Sequence, residues 1–339
     1  MLSTRTQKLW RQIALSQLDR RRLSESENVS LREMVHIQIL EAKNLRRILK
    51  RRSRIEVCGP SCSFILTLPN LALLQSMEEA FGVKGIKALK KRTSTDNHHT
   101  FERLLLESDV LFVGMDDLFG AKGMDNLPFT GHVRETNLDI VDGVYYEMLQ
   151  RRMLPFDIHT TETAVWECLR HVAMDNLREV GSSNGRVNVH PYTTEEEGDT
   201  LRSSFFAVMS GVGDLAGTFN TKVVRRYRGE DKITFVFRVI SEPKFERGRQ
   251  GISATTTMQI VLNTVDTGDE DATTMMKVYF TAERSTLAAR EDPATPMAFA
   301  AWDKLVPRFP IDVESILLDG KRNTSALAGQ DTNSEQLCT

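Results

Sequence analysis

The sequence predicts an α+β protein in which a long helical arm precedes a body of antiparallel strands closed by a C-terminal helix. Three observations carry that expectation. Residues 5–54 contain neither Gly nor Pro and read as one unbroken helix. Strand-like runs between Leu201 and Ser285 follow one another through short turns, the pattern of a meander rather than of alternating strands and helices. A last helix from Pro293 to about Leu318 carries Met297, Phe299, Ala300, Trp302, Val306 and Phe309, with a kink expected near Pro307 and Pro310. With 339 residues, 40% hydrophobic and 27% charged, the chain suffices for one arm and one body with a real core.

A solitary helix of that length cannot bury an apolar stripe within a small domain, so the arm needs a partner. The best heptad register places Gln7, Ala14, Arg21, Asn28, Val35, Ala42 and Leu49 at a, and Trp10, Gln17, Ser24, Leu31, Gln38, Leu45 and Arg52 at d. Only half of these are apolar, so the flanking charges must carry the argument. In a parallel dimer each g residue meets an e′ residue five positions later. The register then pairs Arg20 with Glu25, Glu27 with Arg32, and Glu41 with Arg46, all opposite in sign. Ile13 with Leu18 and Met34 with Ile39 widen the apolar seam. Asn28 at an a position fixes register and a two-stranded state at some cost in stability. A solvated helix carrying only local ion pairs is the plainer alternative.

Residues 1–54 hold fourteen Lys or Arg against five Asp or Glu, and the remainder thirty against forty-one. The near-neutral total conceals a +9 arm on a −11 body. That asymmetry points to a weak nucleic-acid or anionic-membrane contact, or to a nuclear-import signal. Arg20, Arg21 and Arg22 stand where a leucine-zipper regulator carries its basic region, which makes a nucleic-acid-binding regulator the alternative functional class. The base-reading Asn and its following Arg are absent and Asp19 sits in the cluster, so phosphate contacts alone are expected there.

Residues 55–100 read as a linker with a short helix at Leu71–Phe81, and residues 321–339 as a disordered tail. Cys58, Cys62, Cys168 and Cys338 are too few and scattered for a disulfide framework, and no metal site is expected. The N-terminus has no apolar run behind its charges and no segment is long enough to span a bilayer, so a cytoplasmic or nuclear chain is expected. Gly211–Gly217 has the wrong spacing for a dinucleotide loop and leads into a strand. No Walker, G-x-S-x-G or H-E-x-x-H motif occurs. No enzyme activity and no cofactor are expected.

The body, residues 101–320, opens with a helix at Phe101–Phe119, then strands at His132–Val141 and Val144–Met153 around the turn Asp142–Gly143. Thr160–Met174 reads as a helix capped by Thr160 or Thr161. Five strands follow, at Leu201–Met209, Phe219–Arg228, Lys232–Ile240, Ile252–Val265 and Thr273–Ser285.

This order of elements resembles the START-like helix-grip fold. The stretches VDGVYYEMLQRRMLPFDIHTTETAVWECLRH and TFNTKVVRRYRGEDKITFVFRVISEP, with the arm's ENVSLREMVHIQILEAKNLRRILKRR, are similar to a large oomycete family that joins a leucine-zipper-like coiled coil to a START-like domain, some of whose members are labelled mating-specific proteins. The resemblance implies a curved antiparallel sheet around the terminal helix, with an internal cavity for a lipid, sterol or other hydrophobic ligand; the register of the arm adds the expectation of a homodimer. Alternation within strands makes Phe235, Phe237, Met258, Ile260, Val278 and Phe280 core-facing or cavity-facing. Phe205, Val223, Phe299, Trp302 and Val306 complete the candidate set, and plain core packing is the simpler role for each. Arg225 and Arg238 lie within strands; pointing inward, either could pair with a ligand head group, but a solvated outer face is the simpler expectation for both.

Overall fold

The computed structural model describes residues 4–57, 94–128, 132–141, 144–174, 186–210, 215–245, 253–265, 272–284 and 294–320. The chain divides into two units, Arg11–Lys91 and a larger one of Met1–Trp10 with Arg92–Thr339. The first contains all but the first turns of α1 (Thr4–Val57), whose 54 residues make a helix about 80 Å long at 1.5 Å per residue. Every side chain from Arg21 to Ile37 is exposed, Leu23, Val29, Leu31, Met34, Val35 and Ile37 among them. Arg21 pairs with Glu25 at 2.7 Å, one turn along the same helix. The expectations for the short helix at Leu71–Phe81, the turn Asp142–Gly143 and the tail 321–339 lie outside the described residues.

The body opens with α2 (Ser94–Val113) and α3 (Met115–Ala121), separated at Gly114, with a 3₁₀ turn at Met124–Asn126. The helix expected over Phe101–Phe119 therefore starts earlier and is broken once. Ser94, Thr95, Asp96 and Asn97 look like loop residues, yet these are types that helix N-termini favour. Strands β1 (His132–Val141) and β2 (Val144–Leu154) lead to α4 (Ile158–His171). Asp157, not Thr160 or Thr161, caps α4, its side chain accepting the Thr160 N–H at 2.8 Å.

Six strands follow instead of five: β3 (Arg186–Glu197), β4 (Thr200–Ser210), β5 (Leu215–Arg228), β6 (Lys232–Phe245), β7 (Ala254–Val265) and β8 (Thr273–Arg284). The eight form one antiparallel sheet in the order β1-β2-β8-β7-β6-β5-β4-β3. β3 escaped the sequence reading because it is an edge strand: Pro191 interrupts its alternation at a register shift, and its Thr-Thr-Glu-Glu-Glu end is exposed. Gly217, which falls before the strand expected at Phe219–Arg228, lies inside β5. A Cβ there would stand 2.3 Å from the Ala207 carbonyl oxygen, so its glycine serves close strand approach. The last described elements are α5 (Ala294–Leu305), a turn at 306–308 and α6 (309–320), with the break expected near the two prolines.

Both faces of the sheet are covered. On one, Leu104 of α2 packs with Val223 and Ile240, while Met115 and Phe119 of α3 pack with Leu149, Val236, Val261 and Tyr279. Arg225 and Arg238 emerge on this face as expected. They meet acidic partners rather than bulk water, Arg225 bonding Asp109 at 2.8 Å and Arg238 bonding Glu107, both on α2. The other face carries α4, α5 and α6.

Candidate functional site

The strand register gathers the candidate residues on that second, inner face. Cross-strand pairing runs Phe235–Ile260–Val278 in one row and Phe237–Met258–Phe280 in the next, on β6, β7 and β8. Paired residues share a face, so the six side chains form one continuous apolar surface. All six are 4% exposed or less, so protein atoms meet them on all sides. Phe205 of β4 is buried on the same face, two strands beyond.

The C-terminal segment runs along β2 across one side of this surface. Alternate residues of β2 hold it: the Tyr146 hydroxyl donates to Asp303 at 2.9 Å, Gln150 Nε2 donates to the Val306 carbonyl at 2.8 Å, and Arg152 Nε donates to Glu314 at 2.6 Å. Phe299 and Trp302 join Tyr146 at ring distances of 5.7 and 5.2 Å, and Trp302 lies 5.9 Å from Phe280. Val306 is buried at the turn. Ten of the eleven proposed ligand contacts therefore belong to one face of the sheet and its covering helices.

Val223 is the correction. It projects from β5 to the opposite face, into the cluster with Leu104 and Ile240. Because helices cover both faces, β5 carries apolar residues on each, and Val223 and Val224 could not be told apart by alternation. The inner positions of β5 instead include Lys222 and Arg226. Lys222 is fully buried, and its Nζ donates to the carbonyls of Leu169, Arg170 and Val172 at 2.6, 2.7 and 2.9 Å. These carbonyls lie at the end of α4, where the helix supplies no further donors. Arg226 lies 4.5 Å from the centre of the Trp166 ring and pairs with buried Glu162 at 3.0 Å. Arg228 adds a 2.6 Å contact to the same carboxylate, so α4 is clamped to the end of β5.

Glu314 is the most unusual group on this face. Its side chain is fully buried, Oε1 meets Arg152, and Oε2 has no hydrogen-bond partner. Burial pushes the Glu314 carboxyl above its ordinary range, with the Arg152 hydrogen bond and charge opposing. Sequence reasoning missed Tyr146, Gln150, Arg152, Asp303, Glu314 and Lys222. Single polar residues within strands and helices carry no periodic signal of a buried contact, and their partners are remote in the chain.

On the arm, Asn28, Leu31 and Val35 are exposed on α1, and the side chains of Ala42, Leu45 and Leu49 lie outside the described residues. Leu18, Met34 and Ile39 flank the a/d seam, whereas Leu15, Leu23, Val29, Ile37 and Leu40 fall at b, c and f, outside a two-stranded one. Of the basic triplet, Arg21 bonds Glu25, Arg22 lies 3.9 Å from Asp19, and Arg20 is part-buried. Among the described residues no cluster of three or more His, Cys, Asp or Glu side chains is placed to hold a metal. No helix among them is long and apolar enough to cross a membrane.

No protein-family model matches the chain, and no curated protein matches its sequence. Among solved structures it is similar to human STARD10, at 10% identity and a TM-score of 0.31, over 59% of this chain and 74% of that one. A Thermus thermophilus protein is similar at 14% identity and a TM-score of 0.27, covering 51% of this chain and 98% of its own. A conserved Geobacillus kaustophilus protein is similar at 10% and 0.26, covering 50% and 93%. The strand pairing and helices of the chain itself make the body a mixed helical and antiparallel-sheet structure, preceded by a long N-terminal helix.

Proposed function

We propose that the chain is a non-enzymatic START-like protein that holds a lipid, sterol or other hydrophobic ligand between the inner face of its sheet and the terminal helices, as a dimer joined through α1. The observation that carries this reading is the pair of adjacent apolar rows Phe235–Ile260–Val278 and Phe237–Met258–Phe280, bordered by a covering segment that Tyr146, Gln150 and Arg152 hold through a few polar contacts. Mostly apolar walls with a small number of oriented polar groups are what small hydrophobic ligands require. Because the rows are closed in the free chain, with Trp166 of α4 beside Phe235 and Trp302 of α5 beside Phe280, entry of a ligand replaces such contacts by contacts with itself. The resemblance of the motifs to the oomycete coiled-coil and START-like family supports the same reading.

Pairing through α1 is supported by the opposite signs of the three g–e′ pairs and by the exposed seam residues Leu31 and Val35. The test is thermal unfolding of the full chain with sterols, phospholipids and long-chain alcohols added singly below their aggregation limits. At least one class is expected to raise the melting temperature in a concentration-dependent way, since binding to the native state alone stabilises it. A melting temperature unmoved by every class would remove the ligand-binding reading.

A further inference from the structure

Among the described residues, the inner face contains one buried side-chain acceptor that the folded chain leaves without a donor. Glu314 Oε2 is buried and unpartnered, although its sister oxygen is bound by Arg152 at 2.6 Å. The cross-strand neighbours of Arg152 on this face are Met276, then Leu262 and Ile233, all buried and apolar, so none of them can donate. Native interiors rarely leave such an oxygen unmatched, because the group has given up its water hydrogen bonds and received nothing in return. The oxygen lies where α6 meets the end of β2, at the border of the surface assigned above to the ligand.

Charge narrows what could supply the missing donor. Arg152 and Glu314 together are neutral. A ligand carboxylate or phosphate would place a second negative charge beside Glu314 in a poorly solvated site, which is strongly disfavoured. A pure hydrocarbon would leave Oε2 as it is. An uncharged hydroxyl completes the hydrogen bonding without adding charge.

We propose that Glu314 Oε2 is the polar anchor of the ligand site and accepts a hydrogen bond from the hydroxyl of an otherwise apolar, uncharged alcohol. This inference rests on the ligand-binding reading above and specifies the head group that the site selects. It also supplies the differential interaction that entry needs: the closed chain carries an unsatisfied acceptor and the alcohol-bound chain does not.

The experiment compares matched probes on the full chain, cholesterol against cholestane and cholesteryl sulfate, and hexadecanol against hexadecane and hexadecanoate, by competition with a fluorescent lipid. In at least one series the alcohol is expected to bind about tenfold or more tightly than both its hydrocarbon and its anion, the discrimination associated with a hydrogen bond to a charged acceptor. In the paired variant Arg152→Leu with Glu314→Leu, chosen because removing both partners of a buried ion pair leaves no stranded charge, the alcohol-to-hydrocarbon ratio is expected to fall close to one. Equal binding of alcohol and hydrocarbon by the unaltered chain would overturn the anchor and leave the ligand-binding reading standing, whether or not the variant folds. A preference that persists in a folded paired variant would overturn the anchor too. Failure of every probe to bind would overturn both together.

Discussion

Lys222→Met tests how the inner face holds α4. The Nζ of Lys222 reaches three carbonyls at 2.6, 2.7 and 2.9 Å, and three acceptors require three hydrogens, so the group acts as an ammonium at the negative end of the α4 dipole. It also lies 5.5 Å from the centre of the Phe237 ring. Methionine matches the length and keeps the stem packed, but it leaves the carbonyls without a donor. Leu169 is fully buried, and stranding its carbonyl costs about 1–3 kcal/mol. Arg170 and Val172 are half-buried, so their carbonyls recover part of their loss from water, at about 0.5–1 kcal/mol each, and the lost dipole interaction adds up to about 1. Relief of the ammonium's desolvation offsets part of this total. A net loss of about 2–4 kcal/mol is expected, read as a lower urea midpoint at unchanged slope. A Met variant within about 0.5 kcal/mol of the parent would refute the argument that these three bonds fix the helix end.

Three further outcomes follow from the same geometry. Gly217→Ala would set a Cβ 2.3 Å from the Ala207 carbonyl oxygen and 2.8 Å from Phe206 Cζ, and is expected to destabilise the body by about 2 kcal/mol or more in urea titrations; a neutral result would mean the strands are not so close. Leu31→Pro, in the middle of exposed α1, removes a helical hydrogen bond and is expected to abolish self-association in sedimentation equilibrium, whereas retained association would place the contact elsewhere. Glu314 has a folded pKa raised above its ordinary 4.5, so its contribution to stability is complete below that value, where both states are protonated. As pH rises the unfolded chain ionises first, and stability declines until the folded carboxyl titrates as well. Urea midpoints measured across pH should show this decline in the parent and lose it in Glu314→Gln, and superimposable profiles would contradict the assignment.

Features written in local periodicity could be read before any coordinates. The absence of Gly and Pro marked α1, alternation in the β6, β7 and β8 segments marked both apolar rows, and the paired prolines marked the break between α5 and α6. Val223 was misassigned because a sheet covered on both faces loses the contrast that alternation depends on. β3 was hidden by edge-strand chemistry, in which Pro191 and three glutamates blunt the strand and make it resemble a loop. Asp157 at the α4 cap was passed over for two neighbouring threonines, since several capping types stood in succession. The polar contacts of the candidate site had no local signature. Tyr146 with Asp303 and Arg152 with Glu314 are separated by more than a hundred and fifty residues. Their meeting depends on the whole sheet having formed.

Native mass spectrometry of the full chain, released gently after incubation with a mixed lipid and sterol extract, tests the central claim most directly because stoichiometry and ligand appear in one spectrum. The account predicts a species of two chains carrying small apolar molecules that dissociate on collisional activation and include an uncharged alcohol. A spectrum of bare chains under the same conditions, with no retained apolar molecule at any activation energy, would contradict it and leave the two apolar rows as ordinary core.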